Sequence, residues 1–404
     1  MSKFAVPAGW NLTNIGSVLK KTRTAVNVEP ERLYRQIGIR SHGKGIFYKD
    51  ECSGKVLGEK SVFWIEPDCF IVNIVFAWEQ AVAKTTANEK GMIASHRFPM
   101  YKPVDRKLDL DYIVYFFKTP FGKHLLGLAS PGGAGRNKTL GQEEFQKLTI
   151  ALPPYSEQCK IAEILSTWDE AIAKTEGLII TLRGRKMGLM QRLLTGRVRF
   201  PGFDSKWKDC RLGEVGTFSK GSGIAKSDLV EKGIPCIRYG EIYTTHNFVI
   251  KEFHSFITPE MATTSKQIYA GDILFSGSGE TAEEIGKCVA FVGKEVAYAG
   301  GDVIILRLTK GDPIFMGYLL NHETVKKQKY RLAQGHSVVH IYERYLKDIK
   351  IPFPPIEEQQ IIAQALQTCD EEIDLHERKL SRLKQQKKGL MQRLLTGQVR
   401  VKVN

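Results

Sequence analysis

The chain has 404 residues, 42% apolar and 25% charged, with a formal net charge of +15 and a pI near 9.3. That length suffices for two domains with their own cores, and the charge favours a polyanionic partner, nucleic acid first. No stretch approaches the roughly 20 apolar residues of a membrane span, Lys3, Asn11 and Asn14 interrupt any signal-peptide core, and seven cysteines without a Cys-x-x-Cys pair read as thiols of a reducing cytoplasm with no zinc site.

Residues 1–152 read as a first globule. Trp10 followed by Ile15 and Gly16 opens it, and strand-like runs come at Val62 to Ile65 and Phe70 to Phe76. A helix is expected around Leu110 to Leu126, then a glycine-rich turn from Pro131 to Asn137 and a run-in from Phe145 to Leu152. Residues 153–199 form one long helix, and Gly196 closes it. Residues 200–353 rerun the first plan. Trp207 precedes Leu212 and Gly213 at the spacing of Trp10 to Ile15 and Gly16, and strands are expected at Ile234 to Arg238, Asp272 to Phe275, Val289 to Val292 and Val303 to Leu308. A helix near Ile314 to Leu332 and a turn at Gly335 to Ser337 precede a run-in from Leu346 to Phe353. Residues 354–404 hold the second long helix and a tail.

The two helical segments are copies. Pro153 to Arg199 and Pro354 to Arg400 align without a gap, from the shared Pro-Pro-x-x-Glu-Gln start to the shared Gly-Leu-Met-Gln-Arg-Leu-Leu-Thr-Gly ending at Gly196 and Gly397. Apolar residues fall at Ile161, Leu165, Trp168, Ile172, Ile179, Leu182, Leu189 and Leu193, with a weak slot at Thr175. The second copy has Ile362, Leu366, Cys369, Ile373, Leu380, Leu383, Leu390 and Leu394, with His376 in that slot. This is the narrow seam of helices that pack lengthwise. Ser156 is the expected N-cap of the first. At about 1.5 Å per residue, each helix spans on the order of 55 Å, which suits a spacer. The order globule, helix, globule, helix implies that the second helix returns along the first. The expected fold is therefore α+β: two mixed α/β domains separated by two antiparallel helices forming a coiled-coil spacer, with a pseudo-twofold relation.

No catalytic constellation emerges. Leu152 to Tyr155 lacks the polar first residue of an amine-holding Asn/Asp-Pro-Pro-Tyr motif, Gly286-Lys287 lacks a phosphate loop's upstream glycine, and the nine histidines are dispersed without helical pair spacing. Loops with cations, small residues and planar donors have instead the chemistry of base-edge and phosphate contact. In the first globule these candidates are Arg40, His42, Lys44, Arg97, Arg136, Asn137 and Lys138. In the second they are Lys220, Ser222, Arg238, Tyr239, Ser276, Ser278 and His336. Each of these residue types is also common in merely solvated loops. A stand-alone DNA-binding regulator would need the same loops, but gains nothing from a doubled spacer.

With its doubled helix starts and endings, the chain resembles the specificity subunit of a type I restriction-modification system over its whole length. Gly271 to Ser276, with the looser Asp68 to Asn73, is similar to a strand of such recognition domains. The resemblance implies that each globule reads one half of a bipartite double-stranded DNA target. It implies that the helices set the unread gap and dock two modification subunits. Catalysis would lie with partners in a prokaryotic cytoplasm: S-adenosylmethionine on the modification subunits, ATP and Mg on restriction subunits that translocate and cleave.

Overall fold

In the computed structural model the described residues are 6–58, 60–132, 138–279, 281, 285–334 and 339–403. The chain divides into two compact units, Met1–Glu176 with Arg378–Asn404, and Gly177–Glu377. The division therefore cuts through both long helices, Tyr155–Leu193 and Ile356–Leu395. Each unit contains one globule, the start of the helix that follows it and the end of the other helix.

The first unit is built on a four-stranded antiparallel sheet ordered Leu19–Thr22, Met100–Pro103, Phe70–Val72, Val82–Lys84. A second sheet runs Thr24–Ala25, Val62–Trp64, Ile93–Ser95, Leu33–Ile39, Ile46–Ser53, with Leu33–Ile39 and Ile93–Ser95 parallel. A two-stranded ribbon, Asn11–Asn14 on Thr149–Leu152, joins the start of the globule to the run-in of the helix.

The second unit repeats this topology. Its antiparallel sheet is ordered Gly216–Lys220, Val303–Leu308, Asp272–Ser276, Cys288–Ala290. Its second sheet, read in the same direction, is Lys266–Ile268, Ala297–Ala299, Ile234–Ile237, Ser255–Ile257, with the middle pair again parallel. The ribbon is Lys208–Arg211 on Lys350–Phe353. The strand register equates Asp68 to Asn73 with Gly271 to Ser276, because Ile71 lies opposite Met100 as Leu274 lies opposite Ile305. The backbone agrees: Asp68 and Gly271 both take positive φ, 54° and 98°.

The helix ends belong to the globule cores. Ile161, Leu165, Leu394 and Leu395 are buried with Phe70, Tyr101, Phe117 and Phe145 in the first unit. Leu193, Leu194, Ile362 and Leu366 are buried with Phe275, Leu306 and Phe315 in the second. Of the other seam residues, Ile179, Leu182 and Ile373 are buried, while Trp168, Ile172, Leu189, Leu380, Leu383 and Leu390 are half-buried. The pairing is antiparallel in both units. Arg400, Lys387 and Lys384 meet Glu157, Asp169 and Glu176 in the first, and Arg199, Lys186 and Arg183 meet Glu358, Asp370 and Glu377 in the second.

Several sequence expectations need correction. Ser156 is not the N-cap, because the helix starts at Tyr155 and the Pro154 carbonyl takes its first bonds, from the N–H groups of Glu157 and Gln158. The helix expected over Leu110 to Leu126 is two, Leu110–Phe117 and Pro120–Leu128. Pro120 has no N–H to continue the first, and Thr119 caps the second by accepting from Gly122 N–H at 3.0 Å. The helix over Ile314 to Leu332 likewise divides into Pro313–Leu320 and Glu323–Arg331, with His322 as the second N-cap. The run Phe70 to Phe76 is a strand only to Val72, since Asn73 Oδ1 accepts from Val75 N–H at 3.1 Å and turns the chain.

Candidate nucleic-acid interface

The repeated helix starts fix how each globule is held. Gln158 Oε1 accepts from the N–H of Asp109 at 2.9 Å, and its Nε2 donates to the carbonyls of Pro153 and Lys107 at 3.0 and 3.1 Å. Asp109 is itself the N-cap of Leu110–Phe117. Gln359 does the same for Asp312, N-cap of Pro313–Leu320, at 2.8 Å. One repeated glutamine thus ties a long helix to the start of a globule helix in both units. The glutamate before it is buried and closes on the tail of the other helix. Glu157 accepts two bonds from Arg400, both 2.7 Å, and Glu358 accepts two from Arg199 at 2.8 and 2.6 Å, plus Trp207 Nε1 at 2.8 Å. These charge-assisted forks hold each guanidinium in one orientation. Further along, Asp169 bridges Tyr115 and Lys387 at 2.7 and 2.5 Å, as Asp370 bridges Tyr318 and Lys186, both at 2.5 Å.

That anchorage leaves the opposite ends of the central sheets free for binding. In the second unit Gly216 opens its strand beside Val215 and Lys310, close to the helix start. The strand then runs about 3.3 Å per residue away from it, to Lys220. Two clefts open there, of about 520 and 710 Å³. Arg238, Tyr239 and Ile224 line the first; Lys220, His340, Tyr342 and Arg344 line the second, and Asp302 lines both. The Arg344 guanidinium lies 5.2 and 4.8 Å from the Tyr342 and Tyr345 ring centres, a flat cationic and aromatic surface. In the first unit the corresponding end carries a smaller cleft of about 120 Å³, where Arg23 stacks 4.0 Å over Phe63 beside His96 and Phe98.

The sequence candidates distribute unevenly over these surfaces. In the first unit Arg40, His42 and Lys44 lie exposed on one loop. The N–H groups of His42 and Gly43 donate to the carbonyls of Glu79 and Gln80 at 2.6 and 2.9 Å. Lys138 reaches the neighbouring Trp78 ring, 5.9 Å from its centre, and the Arg97 carbonyl accepts from Ile74 N–H at 3.0 Å. The segment from Ile74 to Gln80 thus gathers three first-unit candidates, His42, Arg97 and Lys138, around one turn. Arg136, Asn137 and His336 lie outside the described residues. In the second unit Lys220, Arg238 and Tyr239 line the clefts, while Ser222 donates to the Thr264 carbonyl at 3.0 Å.

Ser276 and Ser278 are corrections. Both are buried, at 0% and 2% exposure; Ser276 Oγ donates to the Ser278 carbonyl at 2.6 Å, and Ser278 Oγ donates to Asp302 Oδ2 at 3.0 Å and meets His340 Nδ1 at 2.9 Å. Ser276 and Ser278–Gly279, which read as a loop, are strand on either side of Gly277, and the two hydroxyls serve the interior. Arg23, Asp302, Tyr342 and Arg344 also line the clefts and are not among the sequence candidates. Arg23 carried a signal, because it stands after Trp10 at the distance of Lys220 after Trp207.

The described cysteines are free, and several are buried. Burial pushes the thiols of Cys69 and Cys288 up to about 11 and that of Cys236 up to about 12, so they stay protonated and unreactive at neutral pH. Among the described residues no group of three or more His, Cys, Asp or Glu could hold a metal ion, and no helix is long and apolar enough to cross a membrane.

One α+β fold used twice, stitched to both helices by the same residues and ending in unlike basic and aromatic clefts, defines a duplicated nucleic-acid-reading protein. Comparison with known proteins makes this specific. The family described as "Type I restriction modification DNA specificity domain" matches residues 63–183 and 204–385. The chain belongs to that family. It is 25% identical to the type I restriction enzyme MjaVIII specificity subunit of Methanocaldococcus jannaschii, over all of this chain and 96% of that relative. It is 26% identical to the putative MjaX specificity subunit of the same organism, over 75% of this chain and 71% of that one. The fold matches the HsdS subunit from Thermoanaerobacter tengcongensis with a TM-score of 0.54 at 18% identity, covering 98% of this chain and 99% of that one. It matches the type I S subunit from M. genitalium with a TM-score of 0.60 at 15% identity, covering 98% and 97%.

Proposed function

We propose that this chain is the address-reading subunit of a type I restriction-modification complex, in which each unit reads one half of a split double-stranded DNA target. The observation that carries the reading is the same topology ending in different surface chemistry: Arg23 over Phe63 in one unit, Lys220, Tyr342 and Arg344 in the other. Two recognition tasks on one scaffold produce that pattern. The paired helices set the unread gap between the half-sites and offer their outer faces to two modification subunits. Methyl transfer from S-adenosylmethionine, and ATP- and Mg-dependent translocation and cleavage, fall to the modification and restriction subunits.

The test is a methylome of cells carrying the gene with its cognate modification partner, against cells without it. The expected result is a new methyl-adenine mark at two short specified blocks around a fixed unread gap. No new mark, with the partner expressed and stably bound, overturns the proposal in favour of a DNA-binding regulator.

A further inference from the structure

One position in the duplicated fold carries opposite charges in the two units. The strands Leu19–Thr22 and Gly216–Lys220 each follow a single helical turn, Ile15–Val18 and Leu212–Val215. Leu19 lies opposite Pro103, and Gly216 lies opposite Leu308. Counting back six residues from each partner reaches Arg97 in the first unit and Asp302 in the second. Both stand in the turn that passes from the second sheet, Ile93–Ser95 or Ala297–Ala299, to the central one. A backbone bond confirms the equivalence. The Arg97 carbonyl accepts from Ile74 N–H at 3.0 Å and the Asp302 carbonyl from Gly277 N–H at 2.8 Å, and Ile74 and Gly277 are equivalent in the strand register.

The two side chains face outward. Arg97 is exposed and makes no ion pair among the described residues. The Asp302 side chain is 42% exposed, sits where two clefts meet, and is oriented from behind by Ser278 at 3.0 Å. Lys220, itself 63% exposed, touches its other oxygen at 3.3 Å, so that contact can open. A carboxylate takes about four hydrogen bonds and gives none. Against a phosphate backbone it is repelled, so a carboxylate on a DNA-facing surface fits only where it meets a base donor. In the major groove those donors are the N4 amine of cytosine and the N6 amine of adenine; guanine and thymine offer acceptors and a methyl group. The guanidinium at the same point of the other unit has the opposite need, and matches the O6 and N7 acceptors of guanine.

We propose that Asp302 is a base-reading residue of the second unit, accepting from the exocyclic amine of a cytosine or adenine at one position of its half-site, where Arg97 takes a guanine in the half-site of the first unit. This rests on the proposal that the two units read two half-sites. Lys220, Arg238 and Arg344 around the clefts offset the phosphate repulsion that a lone carboxylate would meet.

The test compares the methylated motif, and methylation rates on a set of single-base-substituted duplexes, for the full chain and its Asp302→Ala, Asp302→Asn and Lys220→Ala variants, each assembled with the cognate modification subunit. Asp302→Ala is expected to lower discrimination at one cytosine or adenine of the second half-site by about 5- to 150-fold, leaving the first half-site intact. Asp302→Asn, which keeps the shape and the bond from Ser278, should shift the preference at that position toward adenine, because an amide both gives and accepts. Lys220→Ala should weaken all sequences alike, as loss of a phosphate contact does. Unchanged specificity in both Asp302 variants overturns the inference. So does a loss spread evenly over all sequences in Asp302→Asn, which together with a lowered thermal unfolding temperature would mark a structural residue. A wild-type chain that marks no split motif fails the underlying proposal instead, so the two failures are distinguishable.

Discussion

The repeated Lys–Asp–Tyr bridge allows one substitution to be made in two settings of different burial. Lys186 and Asp370 have side chains 8% and 22% exposed; their counterparts Lys387 and Asp169 are 14% and 50% exposed. Lys186 also lies 4.1 Å over the Phe248 ring, and burial holds its ammonium pKa below the usual lysine value despite the Asp370 carboxylate. Lys186→Met keeps the volume and leaves Asp370 with only the Tyr318 hydroxyl among these partners. Removing one partner of a buried pair costs about 3–5 kcal/mol; the partial exposure of Asp370 reduces this to about 2–4 kcal/mol. For a unit of this size that is roughly a 5–15 °C loss in Tm. Lys387→Met, facing a half-exposed carboxylate, should cost about 0.2–1 kcal/mol. The double variant Lys186→Met with Asp370→Leu should recover most of the loss, because a well-packed apolar pair often matches a buried ion pair. Urea unfolding followed by hydrogen-exchange mass spectrometry assigns each change to its own unit. Equal effects of the two lysine substitutions, or a double variant as unstable as Lys186→Met, would refute this account of the bridge.

Other outcomes follow from individual sites. His246 is 5% exposed, and burial, helped by His254 and Lys287 and opposed by Glu252, lowers its pKa to about 4. The unfolded ring therefore binds a proton below about 6.5 that the folded ring refuses, so its contribution is full above pH 6.5 and lost as pH falls toward 4. The stability of the wild type relative to His246→Gln should drop by about 3 kcal/mol across that window, and parallel curves would refute the assignment; buried Glu241, whose pKa is raised by burial, cancels in this difference. Gly317→Ala places a Cβ 2.4 Å from the Phe248 carbonyl oxygen and should destabilise by about 1–3 kcal/mol. Gly177→Ala, with nothing within 4 Å of its Cβ, should stabilise the first long helix by about 1 kcal/mol in chemical denaturation. Inserting whole turns into both helices should lengthen the unread gap of the methylated motif; a fixed gap in an assembled complex would sink the ruler idea.

The helices were legible because a period near 3.5 needs no tertiary knowledge, and because identical endings flag a repeat directly. The globules were legible as a plan but not in detail. The segment Leu110 to Leu126 looks like one helix by apolar spacing, yet Thr119-Pro120 is a local stop and restart that outweighs periodicity. Ser276 and Ser278–Gly279 have loop composition but strand structure; the Ser278 hydroxyl is satisfied by Asp302 and His340 and that of Ser276 by the Ser278 carbonyl, and composition cannot see those partners. Arg97 stands among the sequence candidates because cations in loops are conspicuous. Asp302 does not, because a search for cations passes over a carboxylate, and only the register places it where Arg97 stands.

The same register explains why the helical copies stayed so alike while the globules diverged. Three repeated polar positions have a partner in another element of the same unit in both copies. Glu157 needs the Arg400 fork and Glu358 the Arg199 fork; Gln158 and Gln359 each complete the cap of a globule helix; Asp169 and Asp370 each join a globule tyrosine to a lysine of the other helix. A change at any of these leaves a buried or half-buried polar group unpaired, a cost of about 1–3 kcal/mol or more, unless its partner changes too. At the cleft end the coupling is looser: Asp302 accepts from Ser278 Oγ at 3.0 Å and meets an exposed Lys220, while Arg97 makes no ion pair among the described residues. Arg97 and Asp302 occupy one point of the fold with opposite charge, and the bond that the two turns share is made by the backbone carbonyl. Drift acting evenly would have blurred both ends, whereas the division found here follows which side chains hold the scaffold and which are left free to read.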